Sequence, residues 1–125
     1  MAKARILLAD DDPRVVQVVS RYLDLEGFDV EAVPDGETAV ERATTGAPPD
    51  LIILDIMMPT IDGIEACRRI RANEGTSRTP ILMFSALSEE TEAARTAGAD
   101  GLIPKPFSLP DLAEAVRTFV PKSAG

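Results

Sequence analysis

Four consecutive apolar residues, Leu51-Ile52-Ile53-Leu54, followed at once by Asp55 and a proline-broken loop, constrain this chain more than any other stretch. A run this short, entered through Ala47-Pro48-Pro49-Asp50 and left through Met58-Pro59, suits a strand covered on both faces of a parallel sheet. Pro59 and Asp62-Gly63 cannot continue a strand and make the exit a loop. In an open α/β sheet, chemistry sits just past the carboxyl ends of the strands, so Asp55 stands where a site would be. Alone, an aspartate there would read as a cap for the segment that follows. The other strand ends decide the matter.

The chain repeats the same theme before and after. Arg5 to Ala9 is a short apolar strand followed directly by Asp10-Asp11-Asp12-Pro13. Asp12 before Pro13 marks a helix start, a carboxylate cap and then proline at the first helical position. That helix is expected to turn Val15, Val16, Val18, Val19, Tyr22, Leu23 and Leu25 inward and to stop at Gly27. Phe28 to Val33 is a second strand, Pro34-Asp35-Gly36 a turn, and a weaker helix runs through Ala39 and Val40 toward Gly46. A third helix is expected from about Ile64 to Ala72, then a polar loop from Asn73 to Thr79. Ile81 to Phe84 is another apolar strand, ending at Ser85-Ala86. Ser88 is expected to cap a helix from Glu89 to Ala97, which Gly98 ends. Gly101 to Ile103 is a short fifth strand closing on Lys105, and Ser108 with Asp111 forms a capping box for a last helix to about Phe119. Five strands alternating with five helices predict a doubly wound parallel sheet with helices on both faces. Right-handed crossovers put every strand's carboxyl end on one edge.

Composition narrows the function. At 125 residues the chain is expected to be one domain, with a core from about residue 4 to 120 and a tail from 121 to 125. The short tail after Val120 suits a stand-alone protein, and a domain cut from a longer chain would look the same. A net charge of −8, with thirteen scattered Lys and Arg residues, argues against direct nucleic-acid binding or an anionic membrane surface. The chain has no histidine, which excludes His-based metal sites and Ser-His or Cys-His catalysis. Its single cysteine, Cys67, lies on the apolar face of Ile64-Glu65-Ala66-Cys67-Arg68-Arg69-Ile70 and reads as a small buried hydrophobe. One cysteine permits no internal disulfide and fits a reducing compartment, so a cytoplasmic location is expected. No apolar run approaches membrane-spanning length.

The fold makes a geometric claim. The residues just beyond strands one, three, four and five are Asp10 and Asp11, Asp55, Ser85 and Lys105, and all should meet on one sheet edge. Three carboxylates close together repel and call for something positive. Oxygen-only ligands select a hard cation such as Mg²⁺, or Mn²⁺ in its place, which takes one or two carboxylates plus waters and phosphate oxygens. Lys105 adds a point charge and Ser85 a hydroxyl donor. An aspartate nucleophile, a divalent cation, a lysine and a hydroxyl make a phosphoryl-transfer site.

This set, Asp10-Asp11, Asp55 with Met58-Pro59 and Asp62-Gly63, Ser85-Ala86 and Lys105-Pro106-Phe107, resembles the receiver domain of two-component response regulators. The likeness covers essentially the whole chain and implies the flavodoxin-like (βα)5 receiver fold, of the kind seen in single-domain chemotaxis regulators. It implies that Asp55 is the phosphoacceptor and that Asp11 and Asp55 ligate Mg²⁺ directly. Asp10 would act largely through water, and the backbone carbonyl of Met57 would complete the protein ligands. Ser85 and Lys105 would bind the phosphoryl group, and the Lys105-Pro106 bond would be cis. The implied partners are a sensor histidine kinase or histidine phosphotransfer protein and a downstream protein meeting the fourth helix, fifth strand and fifth helix. A phosphorylation-dependent homodimer through the fourth and fifth helices is compatible with the likeness. The strand-five switch position, often aromatic in this family, is Leu102 here, which shifts signalling toward the loop after Ser85 unless Leu102 is simply strand core. Met57 and Leu87, each two residues past a site residue, are apolar and cannot orient water. A long-lived phosphoryl group is therefore expected, unless both merely face solvent.

Two other readings use the same residues. A pseudo-receiver would use the fold only for docking, and it would have no need of the full acidic set or of Lys105. A metabolic aspartyl-phosphate phosphatase would carry a second acid just after the nucleophile, where this chain has Ile56 and Met57. A flavin or nucleotide binder lacks its glycine-rich loop after the first strand.

Overall fold

Parallel strand order β2-β1-β3-β4-β5 organises the protein, with the reversal of winding falling between β1 and β3. The structure is a computed structural model that describes residues 3–86 and 90–120. Its elements are β1 Arg5–Ala9, α1 Pro13–Leu25, β2 Asp29–Val33, α2 Gly36–Thr44 and β3 Leu51–Asp55, followed by α3 Gly63–Ala72. A 3₁₀ turn, Glu74–Thr76, leads to β4 Ile81–Ser85, α4 Thr91–Ala97, β5 Gly101–Pro104 and α5 Leu109–Phe119. The alternation of strands and helices read from the sequence is borne out. The proposed Ser88 cap lies outside the described residues, and α4 is described from Thr91.

The two faces of the sheet bury two separate clusters, as the two-residue period of a strand requires. Ile6, Leu8, Leu51, Ile53, Leu82 and Phe84 point to the side covered by Val19 and Leu23 of α1 and Leu112 and Val116 of α5. Leu7, Ala9, Ile52, Leu54, Ile81 and Met83 point to the other side. There Ala39 and Ala43 of α2, Ala66, Cys67 and Ile70 of α3, and Ala94 and Ala97 of α4 close over them. Every residue of β3 and β4 is buried, which is why both strands read as unbroken apolar runs.

Side chains start and stop the helices. Asp12, Asp35, Asp62 and Ser108 each accept a backbone N–H of the first turn that follows. Gly27 (φ 98°) and Gly98 (φ 115°) leave α1 and α4 in the left-handed conformation that favours glycine.

Two expectations need correction. Val18 and Leu25 do not face inward; they are 50% and 74% exposed. Successive helical residues turn by about 100°, so Leu25 lies on the opposite side of α1 from the buried Leu23, and the sheet covers only one stripe. The stretch from Asn73 to Thr79 is not a plain polar loop either. It holds the 3₁₀ turn and buries Thr76 and Thr79, whose carbonyls accept from Arg71.

Candidate functional site at the carboxyl edge

Ladder bonds carry the strands one residue past their ends and so fix the site. Asp10 N–H donates to the Val33 carbonyl, Ile56 N–H to that of Phe84, and Lys105 N–H to that of Ser85. The strands are in register there, Asp55 beside Phe84 and Ser85 beside Pro104. Asp10, Asp55, Ser85 and Lys105 thus reach one edge from four strands.

Asp55 is 6% exposed and hydrogen-bonded on both oxygens. The Lys105 ammonium donates to Oδ2 at 2.8 Å, and Met57 N–H donates to Oδ1 at 3.2 Å. The Lys105 Nζ also stands 3.7 Å from Asp10 Oδ2 and 5.6 Å from the centre of the Phe84 ring. Phe84 stacks on Phe107 with ring centroids 4.7 Å apart. Burial works against the Lys105 ammonium, but the hydrogen bond and charge of Asp55, with help from Asp10, outweigh it and raise its pKa.

Asp10 is the strained partner. It is 1% exposed, and its Oδ1 accepts Asp12 N–H at 2.9 Å. Its other oxygen is buried without a hydrogen-bond partner among the described residues. Burial, opposed by the Asp12 N–H and reinforced by the charge of Asp55, pushes the Asp10 pKa up to about 6. Asp11, beside it, is exposed.

Ligand atoms of Asp10, Asp11 and Asp55 all lie within 4.8 Å of one another. Three carboxylates against one ammonium leave a local excess of negative charge, and a buried carboxylate oxygen lacks a donor. An all-oxygen set of this kind fits a small hard divalent cation that keeps several of its waters.

The remaining sequence-predicted residues take less central places. Ser85 is buried at the end of β4, its carbonyl bonded to Lys105 N–H. Met57 is 68% exposed, standing outward two residues past Asp55. Leu102 is partly buried and packs against the cluster beneath α3 and α4, as strand core does. Leu87 lies outside the described residues. The Lys105-Pro106 peptide is cis, as the resemblance implied.

A family model described as the response regulator receiver domain matches residues 6–117. The chain belongs to the response regulator receiver family. The phosphate regulon regulatory protein PhoB of Rhizobium meliloti is 42% identical over 113 residues, which are 88% of this chain and 49% of that protein. The DNA-binding dual master transcriptional regulator RpaA of Synechocystis is 37% identical, over 93% of this chain and 48% of its own length. The receiver therefore spans about half the length of these curated relatives. Among solved structures, the chemotaxis regulator CheY4 of Vibrio cholerae superposes with a TM-score of 0.90 at 30% identity, covering 95% of this chain and all of that one. The receiver domain of sensor histidine kinase PA1611 from Pseudomonas aeruginosa gives 0.87 at 33% identity, covering 94% of this chain and 98% of that chain. That structure has a magnesium ion coordinated in its active-site cleft.

The receiver also makes contacts near the site that the sequence reading, which names Gly63 only within the loop motif, does not contain. Gly63 seats α3 against Asp55 and Ile56, and its N–H donates to the Ile56 carbonyl at 2.8 Å. A Cβ there would fall 2.9 Å from Ile56 Cα, so only glycine fits. Thr60, at φ 69°, bridges the loop after β3 to α2. Its place in the run Met58-Pro59-Thr60-Ile61-Asp62 carries no signal of either property. The stacking of Phe84 on Phe107 joins β4 to the segment between β5 and α5 and could not be read from spacing.

Proposed function

We propose that this receiver accepts a phosphoryl group onto Asp55 from a phosphohistidine of a sensor kinase or histidine phosphotransfer protein. The observation that carries the reading is the buried Asp55 carboxylate held by Lys105 at 2.8 Å, beside a second buried carboxylate with one unpartnered oxygen. Asp11, Asp55 and the Met57 carbonyl would hold Mg²⁺, or Mn²⁺, with Asp10 acting largely through water. When bound, the ion neutralises charge on the phosphoryl oxygens.

The chain's own residues do the rest. The ladder bonds past β1, β3 and β5 hold the acids and Lys105 in place, so the carboxylate needs little reorganisation before attack. An oxygen of Asp55 attacks phosphorus in line, forming an O–P bond as the N–P bond to the donor imidazole breaks. The departing nitrogen takes its proton from water. Lys105 then exchanges a carboxylate oxygen for a phosphoryl oxygen, and the Ser85 hydroxyl donates to another. The domain acts on itself, assisting its own phosphorylation and slow loss of phosphate rather than turning over a separate substrate. The apolar Met57 cannot orient a hydrolytic water, which favours a long-lived adduct. The phosphorylated state would present a changed surface on α4, β5 and α5 to a downstream protein, with the loop after Ser85 carrying the change in place of an aromatic switch at Leu102. A cytoplasmic setting follows from the kinase partner. Among the described residues no helix is long and apolar enough to cross a membrane.

Intact mass after treatment with acetyl phosphate tests the reading. The expected result is a gain of one phosphoryl group that requires Mg²⁺ and is lost in Asp55→Asn. No adduct under any condition would overturn the phosphoacceptor role and leave a docking module that works without phosphate.

A further inference from the structure

The loop between β3 and α3 contains the only non-glycine residue among those described with a left-handed backbone, Thr60 at φ 69°. A β-branched residue is poorly suited to that conformation and persists there only when its surroundings fix it. The surroundings are the first turn of α2. Thr60 Oγ1 accepts Glu37 N–H at 3.3 Å and donates to the Pro59 carbonyl at 2.6 Å. The same carbonyl accepts Gly36 N–H at 3.4 Å. Two of the backbone donors that a helix leaves unpaired at its start therefore bind this loop.

The joint is close as well as hydrogen-bonded. A Cβ at Gly36 would overlap the Ile61 carbonyl and lie 2.6 Å from Ile61 Cγ1. At its far end the loop is held by the Gly63 N–H bond to the Ile56 carbonyl. Met57 lies between these two anchors, and its own N–H is bonded to Asp55 Oδ1.

We propose that Thr60 is a positioning residue for the metal site, tying the loop after β3 to α2 and so holding the Met57 carbonyl beside Asp55. The proposal rests on the phosphotransfer reading above, because the Met57 carbonyl matters only if a cation binds there. Thr60 touches neither cation nor phosphate; it acts through the loop. Gly36 serves the same joint from the helix side, and its missing side chain is what lets the two approach.

The test is Mg²⁺ titration by calorimetry of the wild type, Thr60→Ser, Thr60→Val and Gly36→Ala, with amide exchange of Glu37 measured without Mg²⁺. Thr60→Val keeps the side-chain shape and loses the hydroxyl. It is expected to deprotect the Glu37 amide and weaken Mg²⁺ binding about tenfold, as loss of a residue supporting a ligand commonly does. Thr60→Ser restores the hydroxyl and is expected to bind like the wild type. Gly36→Ala, which pushes the loop away with Thr60 intact, is expected to weaken Mg²⁺ binding in the same direction. Should Thr60→Val fail to fold, the Ser and Gly36 variants still decide the matter. Wild-type Mg²⁺ affinity in Gly36→Ala, or in a folded Thr60→Val with an exposed Glu37 amide, would overturn the positioning role alone. A wild type that does not bind Mg²⁺ would overturn the phosphotransfer reading and this proposal with it, and the first titration separates the two failures.

Discussion

Burial holds the Asp10 carboxyl at a pKa of about 6, against an ordinary value of 3.8, so the folded state keeps its proton to a higher pH than the unfolded chain does. Folding stability from this group is fully present below the unfolded value and is lost as pH rises toward 6. Asp10→Asn keeps the neutral shape at every pH. Without divalent cation it is expected to stabilise the protein at neutral pH by about 2 kcal/mol, a figure reduced for solvent screening. The gain should vanish below about pH 4. Urea denaturation at both pH values checks it, and an equal gain at the two would sink the electrostatic account. Cys67 offers a second check at this scale. It is fully buried, its Sγ donates to the Ala97 carbonyl, and burial pushes its pKa up to about 11. It is expected to resist alkylation in native protein and to react at once in denaturant.

Among the elements, α1 shows what an apolar pattern can and cannot reveal. The run of valines and leucines announced a helix, but more of its residues were apolar than one face of a sheet can cover. Leu25→Ser and Val18→Thr are expected to change stability by no more than about 0.5 kcal/mol. Leu23→Ala, with no exposed surface to begin with, should cost about 3 kcal/mol by urea denaturation. The end of α3 hid more. Arg71 donates to the carbonyls of Gly98, Thr76 and Thr79 and to the Asp100 carboxylate, joining the ends of α3 and α4 to the starts of β4 and β5. Asp100 Oδ2 accepts Ile81 N–H as well. Arginine in a last helical turn usually points to water, and no local spacing distinguishes this one. Arg71→Gln leaves several part-buried acceptors unpaired and is expected to cost about 2 kcal/mol. Faster amide exchange at Ile81 should accompany it. Unchanged exchange there would mean that the fork holds nothing.

For the molecule as a whole, the fold was legible because buried parallel strands are short, apolar and punctuated, and because handedness leaves few ways to join them. Asp55 and Lys105 were legible for the same reason: Asp55 ends one strand and Lys105 directly follows another, and the hydrogen bond between them is a consequence of sheet order. What stayed hidden are the contacts between loops and helices, at Thr60 with Glu37 and at Arg71 with Gly98, which depend on backbone paths that no periodicity encodes. A cation bound only by the folded site should stabilise the whole domain. At a hundred times its dissociation constant Mg²⁺ would add about 2.7 kcal/mol, or a rise in melting temperature on the order of 10 °C. Asp11→Asn should lose that rise. A rise of equal size in this variant would place the cation elsewhere.

The hydrogen bond from Lys105 to Asp55 joins residues 50 positions apart, and Lys105 follows β5, an edge strand and the last strand among the described residues. Among the described residues, Asp10, Asp11 and Asp55 all precede in sequence the one ammonium that pairs with their cluster. A chain emerging from the ribosome as far as β4 would therefore bring Asp10, Asp11 and Asp55 together with no ammonium among them. Pairing of β5 beside β4 supplies it, along with the ladder bond that fixes Lys105. The acidic cluster and its ammonium thus come together only when β5 pairs beside β4.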